Sequence, residues 1–218
     1  RLVRPLLRRP LASFTRILCA TEVSRDRVIE LGAPADRVAT VGNSKYDQQP
    51  TVRDPAEAQR LKGEFFSADL PVLVLGSLRP GEESGWFAAI RSTLDSGAAL
   101  GVIVAPRHKE KFEYFAAALT QAGIPYRRRS QAQGGDAATA VVLLDTFGEL
   151  ERIYSFADLV FVGASLVDVG GHNPLEPAAY GAAVSMGPYT RNVADLVEGL
   201  ARTGGFFPVG DEQSIRAL

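Results

Sequence analysis

The sequence predicts an α/β fold, a doubly wound, Rossmann-like parallel sheet preceded by a fragment of another domain. Apolar runs that suit buried strands alternate with helical patterns from residue 72 onward, as is typical of a parallel sheet covered on both faces. Glycine-rich turns follow these runs, at the strand ends where open parallel sheets bind ligands. A polar stretch with two prolines, residues 48–55, marks a domain boundary.

The first part of the chain predicts a βαβ-like fragment. Its elements are a strand at residues 14–20, a helix at 21–31 and a strand at 38–41. Thr21 is the expected cap of the helix, and Gly32 ends it. We assign three segments: the tail of a preceding domain at 1–48, a linker and entry helix at 49–69, and a main domain at 70–218. The sequence does not begin with methionine and its last pattern ends early, so we expect an internal piece of a longer protein.

The main domain contains the alternating pattern. Strands are predicted at residues 72–75, 100–105, 125–128, 141–144, 159–162 and 183–186. Helices are predicted at residues 82–94, 109–122, 149–156, 174–180 and 192–202. The glutamine- and glycine-rich residues 129–139 are expected to form a loop.

The composition argues against several classes of protein. The net charge of −1 gives no general attraction to nucleic acid, and no such partner is expected. The one cysteine, Cys19, excludes internal disulfides and cysteine-rich zinc sites and is expected to be buried. No apolar run reaches the length of a membrane span. The basic and apolar residues 1–9 fit either an amphipathic helix at an anionic membrane or a solvated helix end.

Residues 163–177 form the most informative stretch, because they read as a strand end, a glycine-rich turn and a helix start. Asn173 is the predicted N-cap, Pro174 fits the first helical position, and Glu176 completes a capping box. Unpaired backbone N–H groups at such a helix start attract phosphate or carboxylate. The stretch therefore predicts an anion-binding site.

Five motifs, in the same order along the chain, resemble those of bacterial 3-deoxy-D-manno-octulosonic acid (Kdo) transferases. They are GNSKYD at residues 42–47 (family pattern GNxKxD), GSLRPGEE at 76–83 (GSTxxGEE), PRHKEK at 106–111 (PRHxER), DTFGEL at 145–150 (DTxGEL) and GGHNPLEPAAYG at 170–181. Two positions depart from the family patterns: Leu78 replaces a threonine, and Lys111 replaces an arginine. One motif alone is a weak signal, but five in order are specific. The resemblance implies a GT-B glycosyltransferase, in which two Rossmann-like domains face each other and the C-terminal one binds the nucleotide sugar.

The resemblance also implies a donor site for CMP-Kdo, which carries one phosphodiester and one sugar carboxylate. We expect positive groups there, with no metal and no cofactor. The candidate donor-binding residues are Ser77, Arg79, Arg107, His108, Gly148, Glu149, Leu150, Ser165, Gly171, His172, Asn173 and Glu176. Asn43 and Lys45 are candidates for a hinge or a donor contact, with a surface turn as the alternative.

Four of these residues have specific expected roles. The resemblance places Arg107 and His108 beside cytidine and phosphate, where a guanidinium hydrogen-bonds or stacks, and a plain surface turn is the alternative. Glu176 is expected to bind ribose while stabilising its helix. His172 is expected to contact phosphate because the neighbouring glycines expose it, although a lone histidine is ordinarily a packing residue.

Other candidates keep two interpretations. Ser77 and Arg79 are expected near the Kdo carboxylate or the leaving phosphate. Glu149 either contacts the donor or offsets its helix dipole. Glu82 and Glu83 fit first-turn acids of a helix, with an acid/base pair as the alternative.

The function that the resemblance implies is transfer of Kdo from CMP-Kdo to a lipid A precursor, lipid IVA, in lipopolysaccharide biosynthesis. The location would be the cytoplasmic face of the bacterial inner membrane, reached through a preceding N-terminal part. The general base is expected in that part, so this chain alone should bind nucleotide but transfer little. Alternatives are a GT-B relative that uses a UDP-sugar, such as an epimerase or another glycosyltransferase, and a non-catalytic nucleotide-binding domain.

Overall fold

The computed structural model describes residues 4–42, 54–66, 69–131 and 140–218. The chain divides into two compact units, Arg1–Gln49 and Pro50–Leu218. Among the described residues, no helix combines the length and the apolar character that a membrane crossing requires.

The first unit has the predicted βαβ order. Its elements are α1 (Arg4–Ser13), β1 (Ile17–Cys19), α2 (Glu22–Glu30) and β2 (Val38–Thr40), and the two strands pair in parallel. The Thr21 side chain accepts a hydrogen bond from the N–H of Ser24 at 3.1 Å, which confirms the predicted cap. Gly32 has a φ of +111° immediately after the helix, a conformation that glycine adopts without strain. Cys19 is buried, as expected.

The second unit is built on a seven-stranded parallel sheet of order β5-β6-β4-β3-β7-β8-β9. Its strands are β3 (Val72–Leu78), β4 (Gly101–Pro106), β5 (Arg127–Arg128), β6 (Val141–Leu143), β7 (Leu159–Val162), β8 (Ala183–Met186) and β9 (Phe206–Pro208). Its helices are α3 (Pro55–Phe65), α4 (Glu83–Asp95), α5 (Phe112–Gln121), α6 (Leu150–Ile153), α7 (Leu175–Ala179), α8 (Ala194–Ala201) and α9 (Glu212–Arg216).

Both faces of this sheet are covered, as the alternating pattern predicts. Val72 and Val74 of β3 belong to a core cluster with α3 and α8, whereas Leu73 and Leu75 belong to a second cluster with α4 and α5. Successive side chains of a strand point to opposite faces, so one strand contributes to both cores.

Several predicted elements differ in extent. The helix expected at residues 149–156 is one α-helical turn, α6, followed by a 3₁₀ turn at Tyr154–Phe156. The short elements β9 and α9 had no prediction from the sequence. The central strand β3 has β4 on one side and β7 on the other, so the order in which the chain adds strands across the sheet reverses there. In open α/β sheets, ligands bind outside the carboxyl ends of the strands at such a switch point.

Candidate functional site

The end of β3 and the turn after β7 pack backbone against backbone at the switch point. The N–H of Gly163 donates to the carbonyl of Gly76 at 2.9 Å. A Cβ on Gly163 would overlap the carbonyl oxygen of Ser77 and lie 2.8 Å from its carbonyl carbon, so only glycine fits. Ser77 and Ala164 have φ values of +55° and +61°, which are uncommon for residues with a side chain. Two strained residues thus flank the centre of the site, where such strain is often found.

The glycine-rich segment closes on itself after β7. The N–H of Gly171 donates to the carbonyl of Ala164 at 2.6 Å, and that of His172 donates to the carbonyl of Gly163 at 3.3 Å. Gly170, with a φ of +112°, leaves room for the side chain of Asn192. These contacts bring His172 back to the end of β7.

The side chain of Ser165 has a structural role, and the assignment of this residue to donor binding stays a prediction. It is fully buried, its hydroxyl donates to the carbonyl of Val162 at 2.7 Å, and it accepts from the N–H of Gly187 at 2.9 Å. The first bond holds Ser165 against the end of β7, and the second fastens the glycine-rich segment to the turn after β8. The hydroxyl is committed to these bonds and has no exposed surface to offer a ligand.

The predicted capping box of α7 is not formed. The Asn173 side chain accepts from the N–H of Leu175 at 3.2 Å, but Pro174 is already in the helical region and α7 spans only five residues. The carboxylate of Glu176 accepts from the amide group of Asn173 at 3.4 Å and not from its backbone. Glu176 is otherwise exposed, so it retains free acceptor positions for hydroxyl groups.

A cluster of positive and imidazole groups lies at this edge of the sheet. Burial first, and then the positive charges of Arg107, Arg79 and His108, lower the pKa of His172 from 6.5 to about 4. Its Nε2 atom and the Nε atom of Arg79 are buried without a hydrogen-bond partner in the described part of the chain. Within that part, neither Arg79 nor Arg107 pairs with a carboxylate. The cluster therefore has the character of an anion site.

Tyr154 belongs to the same neighbourhood, although the sequence did not single it out. Burial and the charge of Glu176 raise the pKa of its hydroxyl, while the charge of Arg107 acts in the opposite direction. The hydroxyl lies where a Cβ on Gly76 would come within 2.8 Å, so Gly76 leaves space for it. Sequence reasoning missed this residue because it lies in an ordinary apolar helical pattern.

A pocket of about 120 Å³ opens between the carboxyl ends of β3, β4 and β6. It is lined by Ser77, Arg107, Thr146, Phe147, Gly148 and Leu150 among others, and it brings four predicted donor residues together. It is smaller than the roughly 300 Å³ of a typical small-molecule site, so it suits one ring of a larger ligand. A larger groove of about 470 Å³ lies at the amino ends of β3 and β7, but it lacks such a charged cluster.

Phe147 is the second residue that sequence reasoning missed. Its side chain is 68% exposed beside the pocket, and its ring centroid lies 5.7 Å from that of Phe112. An exposed aromatic ring at a pocket mouth offers a stacking surface. The only signal in the sequence was its place at the variable position of the DTxGEL motif.

The carboxylate of Glu149 is held in an ion pair and is not free to bind a ligand. Arg129 donates to its carboxylate at 2.8 Å, Thr146 also donates to it, and Arg129 bridges to Glu64 at 3.0 Å. Burial opposes ionisation of Glu149, yet these hydrogen bonds outweigh it and the pKa is lowered. The structure thus gives its carboxylate a structural role, whereas its neighbours Gly148 and Leu150 line the pocket.

The acid pair of α4 also accepts hydrogen bonds from its surroundings. Glu83 accepts from the N–H of Gly81 at 2.7 Å and from the hydroxyl of Tyr114 at 2.5 Å. Glu82 is 2% exposed and accepts only backbone N–H groups. Neither carboxylate is placed as half of a free acid/base pair.

The remaining candidates lie at the margin of the site or outside the described residues. His108 is exposed beside Arg107, in the turn after β4. Asn43 and Lys45 fall in the range 43–53, outside the described residues. Elsewhere in the described ranges, no group of three or more His, Cys, Asp or Glu side chains is placed to hold a metal ion.

Comparison with known proteins gives a consistent result. Residues 1–48 match the family described as 3-deoxy-D-manno-octulosonic-acid transferase (kdotransferase). The 3-deoxy-D-manno-octulosonic acid transferase of Bordetella pertussis is 34% identical over 95% of this chain and 48% of its own length. That of Aquifex aeolicus is 31% identical over 93% of this chain and 52% of its own length. The chain spans from a third to about half of the length of the curated relatives it matches.

Solved structures agree with the sequence relatives. The C-terminal CMP-Kdo binding domain of WaaA from Acinetobacter baumannii has a TM-score of 0.67 and 30% identity, covering 73% of this chain and 83% of that domain. Anabaena Alr3699/HepE, solved with UDP and glucose, has a TM-score of 0.60 at 14% identity over 98% of this chain and 55% of its own, a likeness of fold alone. The predicted GT-B type of parallel sheet is confirmed. The chain belongs to the 3-deoxy-D-manno-octulosonic acid (Kdo) transferase family.

Proposed function

We propose that this chain supplies the donor half of an enzyme that transfers Kdo from CMP-Kdo to a hydroxyl group of lipid IVA, a lipid A precursor. One observation carries the proposal: Arg79, Arg107 and His108 lie close enough to His172 to lower its pKa, and Arg107 also lines a pocket the size of one ring. A cytidine monophosphate ester needs this combination, because its base is planar and its phosphate carries a single negative charge.

The pocket suits the cytosine ring. Phe147 offers an aromatic face at its mouth, and the backbone of Gly148 lines its wall. Stacking of a base on an aromatic side chain contributes about 1–3 kcal/mol, and hydrogen bonds to the base edge then discriminate between bases. Glu176 is exposed near Tyr154 and Arg107, which supports our assignment of its carboxylate to the ribose hydroxyls.

The phosphate belongs beside Arg79, Arg107 and His172. In the transfer, the bond between the anomeric carbon of Kdo and the phosphate oxygen breaks, its electron pair stays on CMP, and the acceptor oxygen bonds to that carbon. Negative charge therefore develops on the phosphate, where preorganised positive groups stabilise the transition state. The acceptor hydroxyl loses its proton to a general base that we assign to the part of the enzyme preceding this chain.

The acceptor is a membrane lipid, so we also propose that the enzyme works at the cytoplasmic face of the inner membrane. The helix α1 supports this, because its Arg4, Arg8 and Arg9 are exposed, and Leu6 is 75% exposed on the same short helix. Flotation of the chain with vesicles containing anionic lipid tests the idea. Binding to zwitterionic vesicles as strong as to anionic ones would contradict it.

Isothermal titration with CMP, UMP and UDP tests the donor assignment. We expect CMP to bind more tightly than UMP and UDP, and Glu176→Ala to weaken CMP binding at least about tenfold through lost hydrogen bonds. Glu198→Ala, which removes an exposed carboxylate on α8, is the matched control and should leave CMP affinity unchanged. Preference for UDP would favour the UDP-sugar alternative, and no nucleotide binding would favour a non-catalytic domain.

A further inference from the structure

Glu82 is a buried carboxylate that accepts four backbone hydrogen bonds. One of its oxygens accepts from the N–H groups of Arg79 and Ala164, and the other from those of Ser165 and Leu166, all at 2.9 Å. The residue is 2% exposed, and no basic side chain in the described part of the chain pairs with it. Its charge is therefore balanced by backbone dipoles alone.

These four bonds join the two turns that build the site. Arg79 lies two residues after Ser77 in the turn that ends β3, whereas Ala164, Ser165 and Leu166 open the segment that follows β7. Ser77 and Ala164 hold left-handed backbone conformations, which surrounding contacts must maintain. The Glu82 carboxylate supplies such contacts to both turns at once.

A continuous path of hydrogen bonds leads from Glu82 to His172. Glu82 fixes the N–H of Ala164, the carbonyl of Ala164 accepts from Gly171, and the carbonyl of Gly163 accepts from His172. On the other side, Glu82 fixes the backbone of Arg79. One carboxylate thus sets the backbone of two members of the anion-binding cluster.

We propose that Glu82 is a positioning residue, which holds Arg79 and His172 in the geometry that receives the donor phosphate. This inference rests on the proposed function for its ligand, but its structural part concerns the ligand-free chain. Backbone N–H groups satisfy the Glu82 carboxylate, so the guanidinium of Arg79 is not paired with it and can bind an incoming anion. Preorganised groups bind more tightly because the ordering cost is met before the ligand arrives.

Glu82→Gln is the informative change, because it conserves volume and removes acceptor capacity. The carboxamide oxygen can still accept two N–H groups, but the NH₂ group faces the other two and cannot accept from them. We expect amide hydrogen exchange of residues 164–166 and 171–172 to accelerate in the ligand-free variant, while the strands of the sheet stay protected. We also expect CMP affinity to fall about tenfold or more at a temperature where the variant is fully folded.

The control is Asp158→Ala, which removes the side-chain acceptor. The carboxylate of Asp158 accepts from the N–H of Val72 at 2.8 Å and so joins the same two strands at their opposite ends. The substitution at Asp158 should lower the melting temperature without changing the affinity for CMP. Comparison with this control therefore distinguishes a general loss of stability from a loss of positioning.

Rescue by a second change makes the test decisive. Ala164→Gly removes the cost of the left-handed conformation, so the double variant E82Q/A164G should regain part of the CMP affinity and of the amide protection. If Glu82→Gln does not fold alone, the double variant is the test protein. CMP affinity within about twofold of wild type in a folded variant, or exchange that rises evenly over the whole sheet, would overturn the proposal. Failure of the wild-type chain to bind CMP overturns the proposed function instead, because amide exchange still tests Glu82.

Discussion

Gly163 gives a sharp test of how the site is assembled. Its φ lies outside the left-handed region, so alanine is acceptable to its own backbone. The obstacle is steric, because a Cβ would overlap the Ser77 carbonyl and come within 3.0 Å of the Glu82 carboxylate. Neither neighbour is the free end of a flexible side chain.

The cost of Gly163→Ala follows from these contacts. Relief requires the turns after β3 and β7 to separate, and overpacking of this kind costs about 1–3 kcal/mol. Separation also lengthens hydrogen bonds to a charged acceptor, so we expect about 3 kcal/mol in total. For a unit of this size that corresponds to a fall in melting temperature of about 6–12 °C.

Gly181→Ala is the matched control. Gly181 has a φ of +78° and open space around its Cβ position, so alanine there meets only the conformational cost of about 1–2 kcal/mol. Urea unfolding gives both free energies, and titration with CMP gives both affinities. We expect only Gly163→Ala to abolish CMP binding. A loss of stability below about 1 kcal/mol for Gly163→Ala, with CMP binding retained, would refute the packing argument.

Three further predictions concern the surface of the site. His172 has a folded pKa of about 4 against 6.5, so the stability it contributes is present above pH 6.5 and is lost as the pH falls toward 4. We expect about 1 kcal/mol after solvent screening, measured by urea unfolding at pH 7 and pH 4.5, and His172→Gln should lack this component. Arg107→Gln should weaken CMP binding about tenfold or more in calorimetry, because a hydrogen bond to the phosphate is lost. The melting temperature should stay unchanged, because the side chain is exposed. An equal loss of cytidine binding would contradict a phosphate contact. Phe147→Ala should weaken CMP about tenfold but leave ribose 5-phosphate binding unchanged, and equal loss for both would exclude stacking.

The sequence was a good guide to the sheet and to the edge that carries the site. Apolar runs such as residues 159–162 form buried strands because burial removes their apolar side chains from water. The glycine-rich turns follow these strands as predicted. Short elements such as β9 and α9 were missed, because three to five residues carry too little periodicity to indicate a structure.

The roles of individual side chains were harder to predict, because their partners are distant along the chain. Glu82 has the sequence signature of an ordinary first-turn acid, yet three of its four backbone partners lie 82 to 84 residues further on. Glu149 pairs with Arg129, at the start of a stretch expected to be a loop. The capping box failed because the Glu176 carboxylate turns to the Asn173 amide group.

The bridge between Glu82 and the segment after β7 has a consequence for synthesis of the protein. Contacts of such long sequence separation form late, since a large loop must close first. While the ribosome is still adding the residues before position 172, the growing chain has no complete anion-binding cluster, because His172 is missing. The nucleotide that we propose as ligand therefore cannot assist the early steps of folding, and it stabilises only the finished protein.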